Sequence, residues 1–168
     1  MSKNILTLLA FAYAGAVTPE VATRTDNSLC LHREKKIVSF KTEANKKIAS
    51  ICVNLEDNYI VYRYGTRSLI ELTYPAEASS GSWKNFAFNS YVRAGGEAND
   101  PKGGYSVSFT NNGTEYFVYQ NWESENDDYE VGIIITHKGG NYKILGIPQS
   151  QTGSLARLEK FKNILNSQ

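Results

Sequence analysis

The chain has 168 residues, with 18 Lys and Arg against 17 Asp and Glu and a formal net charge of +1. That balance argues against a nucleic-acid partner, which is held by clustered cations. With 41% hydrophobic residues the chain has enough apolar material for one folded domain.

The N-terminus carries Lys3, then an apolar run from Ile5 to Val17 with small residues at Ala12, Ala14, Gly15 and Ala16. A basic start, a short apolar stretch and an A-x-A-like end read as a secretory signal peptide over residues 1–16. The run is shorter than the about 20 residues a permanent membrane helix needs, so no transmembrane anchor remains after cleavage. The expected destination is the periplasm or the exterior. Removing Lys3 leaves 17 basic and 17 acidic residues, a net charge of zero. Residues 17–29 show little periodicity and read as a flexible lead to the first cysteine.

Cys30 and Cys52 are the two cysteines. In an oxidising compartment such a pair is expected to bond, stabilising a 22-residue closure by roughly 3 kcal/mol. Leu29 stands where lipid attachment to Cys30 requires a small residue. From there, period-two alternation dominates. Tyr105, Val107 and Phe109 face one way, and Ser106, Ser108 and Thr110 the other. Tyr129, Val131, Ile133 and Ile135 form a longer run of the same kind, and Ile70, Leu72 and Tyr74 a shorter one. This patterning, rich in Tyr, Val, Ile and Phe, marks half-buried strands.

Nine strands are predicted, over 36–40, 47–53, 58–64, 69–74, 85–93, 104–110, 115–122, 129–138 and 141–147. Asn112-Gly113 is a hairpin signal, because both residues accept positive φ. Gly139-Gly140-Asn141 separates the last two strands, and Pro75 and Pro148 end theirs. Short connections imply antiparallel pairing. Lys35-Lys36-Ile37-Val38-Ser39 echoes Lys46-Lys47-Ile48-Ala49-Ser50, as two arms of one hairpin. Ser154 caps a predicted helix over about 154–166 with an apolar face of Leu155, Leu158, Phe161, Ile164 and Leu165. The expected fold is mainly β: an antiparallel β-sandwich or partly open barrel in a single domain from 30 to 168, with a C-terminal α-helix.

Motifs for catalysis are sparse. The two histidines, His32 and His137, have no ligand-type spacing. No nucleophile elbow, phosphate-binding glycine loop or dinucleotide fingerprint occurs. No metal or other cofactor is expected, and no catalytic residue is assigned. Two polar loops stand out. Arg93 to Gly104 is long and glycine-rich, with Arg93, Glu97, Asn99 and Asp100 as candidate contacts. Glu123 to Glu130 holds five acids beside Trp122, with Trp122, Glu125, Asp127 and Asp128 as candidates. Acids near an aromatic anchor suit the rim of a protein interface. Calcium fits less well, because the spacing departs from the EF-hand pattern.

The string Tyr59-Ile60-Val61-Tyr62-Arg63-Tyr64-Gly65, with Ile70-Glu71-Leu72-Thr73-Tyr74-Pro75 and Tyr91-Val92-Arg93-Ala94-Gly95-Gly96, resembles small exported proteins of Gram-negative bacteria. In size class, signal peptide and single disulfide the chain also resembles periplasmic lysozyme inhibitors and toxin-immunity proteins. The inhibitors' serine- and glycine-rich loop has no clear match, and Ala78-Ser79-Ser80-Gly81-Ser82 is the one candidate for it. The resemblance implies a non-catalytic module that binds an exported toxin or cell-wall enzyme. The alternatives are a small exported hydrolase using carboxylates of the two loops, and a structural or adhesion module.

Overall fold

A computed structural model describes residues 27–97 and 99–165. The expected signal peptide and the expected lead as far as residue 26 lie outside the described residues. Ten strands form two antiparallel sheets of five. The first holds β1 (Glu34–Lys41), β2 (Ile48–Asn54), β3 (Ile60–Gly65), β4 (Ile70–Tyr74) and β10 (Thr152–Gly153), in the order β10-β1-β2-β3-β4. The second holds β5 (Ala87–Arg93), β6 (Lys102–Asn111), β7 (Thr114–Glu123), β8 (Asp128–His137) and β9 (Gly140–Leu145), in chain order. The sheets touch at one corner, where Thr42 bridges Gly146 and Glu43 N donates to Leu145 O at 2.9 Å. They do not close into a barrel.

Alternation places the core between the sheets. Val38, Ile51 and Tyr62 are successive cross-strand partners in the first sheet, and Phe88, Val107, Val118 and Ile133 in the second. All are buried. Each such side chain contributes about 1.5–3 kcal/mol by leaving water. Tyr74, Phe109 and Tyr116 stack between them, with centroids 4.4 and 4.9 Å apart. The β6–β7 hairpin turns on Asn112 (φ 49°) and Gly113 (φ 72°), as their residue types require. The last hairpin turns on Lys138 and Gly139, one residue earlier than the glycine pair indicates.

The first sheet is covered on its outer face as well. Ser28, Leu29 and Cys30 lie over it and are fully buried, so residues 28 and 29 are packed and not part of a flexible lead as expected. Leu29 N donates to Ser50 Oγ at 3.0 Å, and Cys30 is bonded to Cys52. This strap explains β2, which is buried on both faces from Ile48 to Val53.

The C-terminal element departs from expectation. Ser154 caps it, its side chain accepting from Ala156 N, but Leu155–Phe161 is a 3-10 helix. Only Lys162–Leu165 is α-helical. Leu155, Leu158 and Phe161 recur at every third residue, which aligns on one face at 3.0 residues per turn. They and Leu165 pack into the core, while Ile164 is exposed.

Candidate functional site

The ladder between β6 and β7 brings the two loops singled out by sequence to one end of the second sheet. Lys102 pairs with Glu123, and Ser124 N donates to Pro101 O at 3.0 Å. Arg93 Nη2 donates to the Asp100 carbonyl at 2.8 Å. Arg93, Glu97, Asn99, Asp100 and Glu125 thus share a small polar cleft of about 260 Å³. Asp127 sits at the turn tip with φ 53°, outside that cleft. Trp122 and Asp128 line a larger neighbour.

That neighbour is a groove of about 820 Å³ on the second sheet. Strand register builds its floor from rows of residues facing away from the core. Tyr91, Gly104, Asn121 and Glu130 form one row, and Asn89, Ser106, Tyr119, Gly132 and Leu145 the next. Mid-strand glycines shape it. A Cβ on Gly104 would collide with Asn121 Oδ1, and one on Gly132 would lie 2.7 Å from the Tyr119 hydroxyl. Both neighbours lie across the space a side chain would fill. Gly103 does the same on the core side for the Trp122 ring, which stacks on Tyr105 with centroids 5.5 Å apart. The strand starts at Lys102, two residues ahead of the expected 104, so Gly103 belongs to it and not to the loop, while Gly104 is a strand residue as expected.

The groove is acidic. Glu43, Glu123, Asp128 and Glu130 line it against Lys102, and Glu97, Asp100 and Glu125 line the cleft against Arg93. Seven carboxylates therefore face three cations, Arg93, Lys102 and the Lys143 that pairs with Glu130, in a chain whose total is +1. Lys102 is already paired with Glu123 at 3.3 Å. Lys143, 2.8 Å from Glu130, holds that carboxyl below its usual range; burial opposes the shift and Tyr119 adds to it. Burial, with the Glu130 carboxylate beside it, pushes the Tyr119 hydroxyl well above its usual range. That hydroxyl is enclosed and makes no hydrogen bond of ordinary geometry.

Other candidates are ordinary. His32 is exposed, and His137 Nδ1 lies 2.8 Å from Thr114 Oγ1 at an exposed strand end. Tyr62 is core, and Tyr59 and Tyr64 pack at its margins. Ser79 to Ser82, the candidate for an inhibitor-like loop, enters a 3-10 turn (Ser80–Asn85). There Ser82 is buried and accepts from Ser79 N at 2.8 Å. Among the described residues, the one group of three potential metal ligands is Cys30, Glu34 and Cys52. Its sulfurs are joined to each other and offer no thiolate.

Sequence reasoning missed the groove itself and one buried ion pair, Glu34 with Arg63. Glycines within the alternating run Gly103–Phe109 were the available signal for the groove. The pair carried no local signal. No helix among the described residues is long and apolar enough to cross a membrane. In comparisons with known proteins, no family model, no curated protein and no solved structure matches this chain.

Proposed function

We propose that this chain is an exported, non-catalytic protein-binding module whose acidic groove and cleft receive a cationic partner. One observation carries the reading: seven carboxylates against three cations, Arg93, Lys102 and Lys143, at the groove and cleft of a chain whose total is +1. Tyr91, exposed on the outward face at this site, supplies rigid aromatic contact area. An enzyme that acts on an anionic wall polymer carries a cationic cleft, and a surface of opposite sign steers its approach. The specific form is therefore an inhibitor or immunity protein against a cell-wall-directed enzyme or toxin. The bonded cysteines fit an oxidising compartment. The alternative is a small exported hydrolase that uses carboxylates of the same two loops.

The test is a pull-down from a periplasmic extract, comparing wild type with Glu125→Gln, Asp127→Asn and Asp128→Asn combined. Asn accepts the left-handed backbone of position 127. These exposed charges contribute little to stability, so folding is retained. A specific partner is expected on the wild type and lost from the variant, with the difference largest at low salt. Release of product from wall polysaccharide or peptide by the wild type, without any protein partner, overturns the reading in favour of the hydrolase.

A further inference from the structure

The four sheet edges differ in how well they are protected against pairing with another chain. β10 is two residues long. β4 has five residues, carries Glu71 in an ion pair with Lys47, and is followed directly by Pro75. β9 carries Lys143, and its end is tied to the Thr42–Glu43 corner. Short length, charge, proline and coverage are the usual ways of blunting an edge. β5 is the least protected, with one side chain of the C-terminal helix over it, Lys162 Nζ donating to Ser90 Oγ at 3.3 Å. It runs for seven residues, pairs with β6 without a register shift, and has no strand on its other side among the described residues. Its one charge, Arg93, is its last residue. Tyr91 and Val92, on opposite faces, are 55% and 60% exposed.

We infer that β5 is the docking rail of this protein, and that it receives an extended cationic segment of the partner as a sixth strand of the second sheet. The inference rests on the binding reading above and specifies how the partner engages. Main-chain hydrogen bonds along the open edge supply affinity, and alternate side chains supply specificity. On one face the added strand passes Asn89 and Tyr91, which border the groove. At the far end it reaches Arg93, which forms a wall of the acidic cleft. Strand spacing places an added strand about 4.8 Å from β5. A Lys or Arg side chain at that end therefore extends toward Glu97, Asp100 and Glu125. Arg93 offsets only one of these three carboxylates, and its guanidinium is turned to the Asp100 carbonyl. The occupant is thus an extended segment with a basic residue where it meets Arg93 and apolar residues beside Tyr91 and Val92.

The test uses two synthetic peptides with the whole mature protein. One is Arg-Thr-Val-Thr-Val-Thr-Val, and the other has Glu in place of Arg. Affinity is read by calorimetry, and location by amide hydrogen exchange. The expected result is protection of β5 amides by the Arg peptide, with the Glu peptide about tenfold weaker. A Tyr91→Lys, Val92→Lys variant, charged along the edge and altered only at exposed positions, is expected to lose the protection while keeping the fold. Protection confined to β7 and β8 overturns strand addition and leaves the acidic docking face standing. Equal affinity for both peptides overturns the basic end. Absence of binding at millimolar peptide overturns the inference, whereas the pull-down alone decides the reading beneath it.

Discussion

Arg63 and Glu34 meet side by side on the outer face of the first sheet: Nη1 donates to Oε2 at 2.6 Å and Nη2 to Oε1 at 2.8 Å. Both are buried under the N-terminal strap. Leu31 N and the Tyr59 hydroxyl also donate to Glu34, at 2.7 and 3.1 Å. Arg63 Nη1 donates further to the Leu29 carbonyl at 3.3 Å. The pair therefore locks strap, β1 and β3 together.

Removing one partner strands the other charge in a low-dielectric site. Arg63→Met is expected to cost about 3–5 kcal/mol in urea unfolding. Glu34→Leu combined with Arg63→Met should recover much of that loss, because no unpaired charge remains. A single variant as stable as wild type would show that the pair is wet and unimportant.

The disulfide fastens the same strap. Replacing Cys30 and Cys52 together by Ala is expected to lower stability by about 2–5 kcal/mol. The native protein should take up no alkylating reagent until reduced and unfolded, since both residues are fully buried. Amide exchange at Leu29, whose N–H is held by Ser50, should quicken in the variant. Native labelling at either cysteine would contradict the bond.

Two glycines make a matched pair of tests. A Cβ on Gly132 meets the Tyr119 hydroxyl at 2.7 Å and the Ile144 carbonyl at 2.8 Å. Backbone cannot swing away as a side chain does, so Gly132→Ala is expected to cost about 1–3 kcal/mol. Gly96 has open space around it, and Gly96→Ala should change stability by no more than about 0.5 kcal/mol. Thermal unfolding of both variants decides whether the groove floor is as tightly fitted as described.

Acid should weaken two ion pairs. The Lys35 hydrogen bond holds the Asp57 carboxyl below its usual range against the opposing effect of burial, and Lys160 adds to the depression. Lys143 does the same for Glu130. A depressed carboxyl contributes stability that is fully present above the unfolded-state value of about 4 and is lost as pH falls through the folded-state value. Both groups are more than a third exposed, so each contributes at most about 1 kcal/mol. Tm should fall between pH 5 and pH 2.5, and the fall should be smaller in Asp57→Asn, whose side chain accepts the φ of 61°. An Asp57→Asn variant with an unchanged acid slope would exclude that carboxyl from the effect.

Strand identity was legible because it is local. Alternation at Tyr105, Val107 and Phe109 and turn chemistry at Asn112-Gly113 depend on neighbours in the chain. The acidic loops and the cysteine pair were legible for the same reason. Alternation was silent for β2, because a strap from residues 28–30 buries its second face. Periodicity also did not separate a 3-10 from an α-helix, since Leu155, Leu158 and Phe161 suit both until packing selects three residues per turn.

What the sequence determined by itself was the β class, the hairpins and the residue types available at each loop, since these follow from backbone sterics and short-range patterning. What only the tertiary structure decided was company. The Glu34–Arg63 pair spans 29 residues, and the groove draws on five strands. Gly103, one position ahead of the expected strand start at 104, is a strand residue because it pairs with Val92 and Trp122. Sheet register fixes such distances, and register is set by burying whole faces at once, a property of the assembled chain that no local window contains.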